Sequence, residues 1–267
     1  MKLLELDNYI NSLSAYTNYD SGIINDCGIE VNNILMALDY EDAINRYAES
    51  HNIDTIIIHH SIGHFYYTAY KGILNKLEVI HSLGLPSIKY ESLVNRDMMD
   101  CFLQMRNTNM VKMIPSFIDA HSKMLSLMIS HHVPDNLVYK KIKSLVYQTN
   151  NPFILYKFLK ELILDFDFFP QDEAIKIYTN VKEYTLPFID ICFVSSASSI
   201  LQKELLNDGI DLLVVTTTSP EVIDFALNHN KTIILLNHIP YDYLGLDLLK
   251  SHLVNNFQLN IEMYEKK

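Results

Sequence analysis

Six short apolar runs punctuate the chain and read as buried strands: NILMAL (33–38), DTIII (54–58), MLSLMI (124–129), FIDICFV (188–194), DLLVV (211–215) and TIILL (232–236). They are continuous rather than alternating, the pattern of central strands covered on both faces by helices. Amphipathic helical spacing lies between them. Residues 41–51 set Ile44, Tyr47 and Ala48 on one face, and a longer helix is predicted over 65–82, stopped by Gly84 and Pro86. Helix also fits 136–147 and 153–166. Ser219-Pro220-Glu221 has the residues of a helix start: a hydroxyl cap, proline at the first helical position and an acid in the first turn. Alternating strand and helix predict an α/β class with largely parallel pairing.

The chain also echoes itself. Residues 42–60 and 220–238 align at a constant offset of 178, with identities at Ala48/Ala226, His51/His229, Asn52/Asn230, Ile56/Ile234 and His60/His238. Each copy reads as a helix, a short turn and an apolar strand ending in histidine. The expectation is two pseudo-repeated α/β lobes, an N-terminal lobe with connecting helices over 1–150 and a C-terminal lobe over 181–267, joined by a helical connection over 151–180. Asn150-Asn151-Pro152 and Pro170-Gln171-Asp172 are the hinge candidates. The segment between them, 152–169, is apolar, but Lys157, Lys160, Glu161, Asp165 and Asp167 interrupt it, so it reads as an amphipathic helix and not a membrane span.

Composition narrows the partners. Apolar residues make up 49 % and charged residues 20 %, enough for a substantial core. The net charge of −11, from 21 basic against 32 acidic side chains, argues against a broad nucleic-acid or anionic-membrane surface. Cys27, Cys101 and Cys192 are far apart with no C-x-x-C, which disfavours a disulfide scaffold or a thiolate zinc site. Glu5 and Asp7 fall where a signal peptide needs an apolar stretch, so the expected location is the cytoplasm. Phosphate-cradling glycine motifs and G-x-S-x-G are absent.

Three apolar runs end in histidine: His59-His60 after DTIII, His131-His132 after MLSLMIS, and His238 after TIILLN. Ligands of parallel α/β sheets bind outside the carboxyl ends of the strands. Imidazole serves there as metal ligand or general base. Successive strand residues point to opposite faces. His59 and His60 therefore serve one site only if the strand ends near Ile58. Asp135 and Asp242 are the acidic candidates. Each also has a structural reading, Asp135 as N-cap of a helix beginning near Asn136 and Asp242 as a cap or turn residue. His64, His131 and His132 are candidates for an outer shell.

Three stretches, in this order, resemble the Nif-three-like proteins, the dinuclear-metal-centre hexamers also described as GTP cyclohydrolase I type 2-like. They are YDSGIINDCGIEVNNILMALDYEDAINRYAESHNIDTIIIHHSIG (19–63), SHHVPDNLVYK (130–140) and TIILLNHIPYDYLGLDLLKSHL (232–253). The resemblance implies a two-lobed α/β fold, a hexameric assembly and the metal ligands His59, His60, Asp135, His238 and Asp242. It is imperfect. Ser61 stands in place of the usual proline after the histidine pair, Asn237 in place of glycine, and VSSASS (194–199) in place of a glycine-rich stretch. These changes alter the loops around a pocket and spare the ligands.

Two functions are compatible with this reading. One is a metal-dependent hydrolase of a nucleotide-like or phosphoester small molecule, using two divalent ions per chain. The other is a protein that binds or delivers metal, or a metal-bearing cofactor, without turnover. Nitrogen and oxygen ligands without thiolate suit Zn, Fe, Mn or Co alike.

Overall fold

The computed structural model describes residues 1–66, 68–106, 125–149, 151–163, 170–181, 191–194 and 197–264. The elements begin α1 (Leu3–Ser12), β1 (Gly22–Asn25), β2 (Asn33–Ala37), α2 (Asp42–Ser50), β3 (Thr55–Ile58) and α3 (Gly63–Tyr66). A 3-10 turn (Ala69–Leu74), α4 (Asn75–Ser82), α5 (Ser87–Arg106), β4 (Ser126–Ile129), α6 (His132–Thr149) and α7 (Pro152–Ile163) come next. Then come α8 (Gln171–Ala174), β5 (Ile175–Tyr178), β6 (Ile191–Val194), α9 (Ser199–Asn207) and β7 (Leu212–Val215). The last elements are α10 (Pro220–Asn228), β8 (Thr232–Leu236), α11 (His238–Asn256) and β9 (Asn260–Met263). The class is α/β with two sheets, and among the described residues no helix is long and apolar enough to cross a membrane. Residue 67, residue 124, residues 164–166 and residues 188–190 of the predicted elements lie outside the described residues.

The chain forms two compact units. Unit 1 comprises Met1–Gly72, Asp100–Leu137 and Asp242–Lys267. Unit 2 comprises Ile73–Met99 and Val138–Tyr241. Unit 1 holds the sheet β1-β4-β3-β2-β9, in which β4, β3, β2 and β9 run parallel and β1 runs antiparallel to β4. Alternate side chains feed opposite faces. Ile34, Met36, Ile57 and Met128 pack with Leu3, Leu6 and Ile10 of α1, Val133 and Leu137 of α6, and Leu249 and Leu253 of α11. On the other face Leu35, Ile56, Ile58, Leu127 and Ile129 pack with Ile44 and Ala48 of α2. Both faces are covered, which is why these strands are apolar throughout.

Unit 2 holds the sheet β5-β8-β7-β6, with β8, β7 and β6 parallel and β5 antiparallel to β8. The internal echo has a structural counterpart at the same offset. α2 and β3 correspond to α10 and β8. Among the described residues, Asn52 (φ 56°) and Asn230 (φ 54°) are the non-glycine residues with positive φ, and they are equivalent positions. Asparagine tolerates this left-handed conformation better than most side chains. Ahead of each, His51 stacks on Tyr47 and His229 on Phe225, with Nδ1 2.9 Å and 2.8 Å from the carbonyl oxygen of that aromatic residue. The histidine thus closes the helix end and the asparagine turns the chain into the strand. Ser219 caps α10 as its sequence predicts, accepting from Val222 N.

Two expectations are corrected. The single helix over 65–82 is broken into α3, the 3-10 turn and α4. Gly72 lies in the break, against the ring of His132. α6 begins at His132, not near Asn136, so Asp135 lies inside the first helical turn and is not its cap.

Candidate metal centre

The side chains that gather into a site come from unit 1, at one end of its sheet. β3 ends at Ile58, so His59 and His60 leave the strand together. β4 ends at Ile129 beside it, and Ser130, His131 and His132 lead into α6, whose first turn carries Asp135. β2 ends at Ala37 with Asp39 two residues on. β1 is antiparallel, with Gly22 paired to Ile129, so its start lies at the same end and brings Asp20 there. Asp242 arrives on α11. Gly245, one turn further along α11, allows a close approach: a Cβ there would fall 2.7 Å from Pro134 Cβ, next to Asp135.

Two groups of possible ligands result, His59–His60–Asp242 and Asp20–His131–His132. The ligand atoms of each group lie within 4.8 Å of one another. Asp242 Oδ1 is 3.4 Å from His59 Nε2, and Asp242 Oδ2 is 3.2 Å from His60 Nε2. Asp20 Oδ1 is 3.0 Å from His132 Nε2. Donors bound ~2.0–2.2 Å from one ion stand about 2.8–3.6 Å apart, from octahedral to tetrahedral geometry, so these spacings fit a shared cation. Asp135 stands between the groups, 4.0 Å from His59 Nε2 and 3.5 Å from His132 Nδ1.

The far ring nitrogens are held from behind. His59 Nδ1 lies 3.3 Å from the Ser130 carbonyl oxygen and His60 Nδ1 2.8 Å from Asp39 Oδ1. This arrangement fixes a ligand imidazole with Nε2 facing the ion. His59 Nε2, His132 Nε2 and Asp20 Oδ1 are sealed from solvent without a hydrogen-bond partner. Buried polar atoms are rarely left so. Their residues fit a metal by donor type, spacing and these unmet atoms.

The electrostatics agree. Burial opposes charge on His60, but the carboxylates of Asp242 and Asp39 push its pKa up to about 10. His132 is likewise raised to about 10 against its burial, by Asp135 and Asp20. Burial drives His59 down despite Asp242. Burial would raise Asp20 and Asp135, yet the surrounding imidazoles hold both below the usual carboxylate range. The carboxylates demand positive charge, and proton and metal compete for the same nitrogens.

No protein-family model and no curated protein matches the sequence. Solved structures do. The NIF3 superfamily protein from Sphaerobacter thermophilus is similar at a TM-score of 0.71 and 15 % identity, over 98 % of this chain and 97 % of that one. This chain has the NIF3 fold. Reduced HcgD from Methanocaldococcus jannaschii (TM-score 0.58, 14 % identity, 100 % of this chain and 98 % of that) shares it. So does a protein from Thermus thermophilus (TM-score 0.56, 14 % identity, 100 % and 99 %). Identities this low speak of fold and not of reaction.

On this NIF3 fold His59, His60 and Asp242 come together, and Asp135 lies beside His59. His238 opens α11, one turn before Asp242, and is in neither group. His64 belongs to α3, and its side chain lies outside the described residues. His131 and His132, expected in an outer shell, form a ligand group with Asp20. Sequence reasoning missed Asp20 and Asp39. Their positions just before one strand and just after another were the available signal.

Proposed function

We propose that the chain holds two divalent metal ions on His59, His60, Asp135 and Asp242, joined by His238 as the family resemblance implies, and hydrolyses a nucleotide-like or phosphoester small molecule. The observation that carries this reading is the His59–His60–Asp242 group, buried at ligand spacing at the carboxyl ends of parallel strands. Asp39 and the Ser130 carbonyl hold the two imidazoles in orientation. Asp242, 1 % exposed, brings negative charge to a place with little water. Asp135, 4.0 Å from His59 Nε2 and 3.5 Å from His132 Nδ1, supports the reading as the bridging carboxylate that the resemblance implies. Bound there, paired divalent ions would supply Lewis acidity toward a phosphoryl or carbonyl oxygen and acidify water. The same resemblance gives a homohexamer, which light scattering at micromolar concentration tests.

Reconstitution with Zn, Fe(II), Mn or Co and then elemental analysis should return at least two ions per chain, of which His60→Ala removes those on this set. Metal-dependent hydrolysis of GTP or of bis-p-nitrophenyl phosphate should accompany it and vanish in His60→Ala. Trace metal in every case overturns the proposal. Full metal with no turnover on either compound gives the centre to the carrier reading, metal or metal-cofactor delivery.

A further inference from the structure

We propose that Asp20, His131 and His132 form a separate site for one divalent transition-metal ion, next to the His59–His60–Asp242 group and using none of its ligands. Asp20 Oδ1 and His132 Nε2 stand 3.0 Å apart, the spacing of two donors on one ion. Both atoms are sealed from water and lack a hydrogen bond of good geometry. In the metal-free protein a proton held on His132 by Asp20 and Asp135 meets their charge, and metal competes with it. A cation between them satisfies both lone pairs and requires no proton.

The surroundings are built to keep those two atoms facing each other. Asp20 is fully buried, and its other oxygen is occupied: it accepts from Ser61 Oγ at 2.6 Å and lies 2.6 Å from His131 Nδ1. Oδ1 is thereby left for His132. The far nitrogen of His132, Nδ1, faces Asp135 Oδ2 at 3.5 Å, which favours the tautomer whose Nε2 is a free ligand. The backbone at Gly72 lies against the His132 ring, where a Cβ would fall 2.0 Å from Nε2 and 2.3 Å from Cε1. The unequal distances put that glycine on the Cε1 side of Nε2, where its backbone fixes the ring's position. Only glycine permits this contact, which explains a glycine in the 3-10 turn. Two nitrogens and one oxygen select zinc, cobalt, nickel or iron over calcium or magnesium.

The test is anomalous diffraction from crystals of zinc-loaded wild-type protein, supported by elemental analysis of variants. A zinc peak ~2.1 Å from both Asp20 Oδ1 and His132 Nε2 is expected. Asp20→Asn and His131→Gln should each lower the metal content by about one ion per chain. His60→Gln should leave that ion in place while emptying the neighbouring group. A map with zinc only at His59–His60–Asp242 overturns the inference and makes Asp20–His132 an ion pair. The converse, zinc only at Asp20–His132 with metal content unchanged by His60→Gln, overturns the two-ion centre and leaves this site standing.

Discussion

Asp242→Asn isolates the charge at the centre of the site. Asparagine preserves the shape of a side chain that is 1 % exposed, and removes the negative charge facing His59 Nε2 at 3.4 Å and His60 Nε2 at 3.2 Å. Metal bound only by the folded state adds RT ln(1 + [L]/Kd), about 2.7 kcal/mol at hundredfold excess over Kd. In a chain of this size 1 kcal/mol moves Tm by roughly 2–4 °C, so saturating zinc should raise the wild-type Tm by about 5–10 °C. A hundredfold weaker Kd in the variant reduces the gain to about 0.4 kcal/mol, within 2 °C. In chelator the substitution has a different cost. His60 loses one of two carboxylates but retains Asp39 and is 31 % exposed in its side chain. The loss is therefore about 1–3 kcal/mol, below the range for breaking a fully buried pair. Scanning calorimetry of both proteins, with zinc and with chelator, gives a two-by-two comparison. An equal zinc-induced shift in wild type and variant would refute the reasoning, because Asp242 would then contribute no metal affinity.

The metal-free protein should lose stability as pH rises from about 6.5 to about 10, because His60 and His132 titrate near 10 when folded and the stability they add is fully present only below the ordinary imidazole value. Zinc-loaded protein should instead gain affinity over the same range as protons leave the ligands, and calorimetry across pH in each condition checks both signs. Asp20 and Asp135 are lowered, so their contribution should vanish only in acid, below the ordinary carboxylate range. Gly245→Ala should destabilise by about 1–3 kcal/mol in denaturant titration and weaken metal binding, since the added Cβ meets the Pro134 backbone at 3.1 Å and forces α11 from α6. Unchanged affinity would show that this approach does not set the distance between Asp135 and Asp242. His238→Ala, one helical turn from Asp242, should lower metal content, and a full complement in that variant removes it from the ligand set.

Central strands are legible in this sequence, as is the edge strand β6 within FIDICFV, whereas the edge strands β1, β5 and β9 are not. β2, β3, β4, β7 and β8 lie in the predicted apolar runs, because burial on both faces demands apolar side chains at every position. β1 (GIIN), β5 (IKIY) and β9 (NIEM) stand at sheet edges, are partly exposed, and mix polar with apolar residues like many loops. Missing β1 hid Asp20, since only the antiparallel register of Gly22 with Ile129 carries it to the histidines. The histidine pairs were visible because they interrupt apolar runs. An aspartate in a turn is too ordinary to stand out. For Asp135 the cap reading failed on helix phase, because it took the helix to begin near Asn136. α6 instead begins at His132, and Pro134 sits in the first turn, where a missing N–H breaks no intrahelical bond.

The two helix–strand segments end alike in histidine, His60 and His238, but the loops around them differ. β8 in unit 2 has the parallel neighbours β7 and β6, so its sheet also brings carboxyl ends together. The loops leaving those strands differ in chemistry from their counterparts in unit 1. Thr216–Thr218 and Ser219 come after β7, and Ser198 and Ser199 lead into α9. Their polar groups bond to one another and to the unit's own backbone. Gln202 donates to the Ala197 and Thr217 carbonyls and accepts from Thr218 Oγ1, Ser199 Oγ donates to Ser219 Oγ, and Asp97 accepts from Ser198 N. A hydroxyl–amide network that closes on itself rigidifies a loop. In unit 1 the loops leaving β3 and β4 carry His59, His60, His131 and His132 instead, and His59 Nε2 and His132 Nε2 are buried with no hydrogen-bond partner. Position 59 makes the contrast in its side chain: it is histidine at the end of β3 and its equivalent 178 residues on is Asn237, while the backbone N–H of each donates to a neighbouring carbonyl, of Ala37 and of Ala174. The two copies share the device that turns a helix into a strand. They part at the residue after the strand, His59 in one copy and Asn237 in the other, just before a histidine that both retain, His60 and His238.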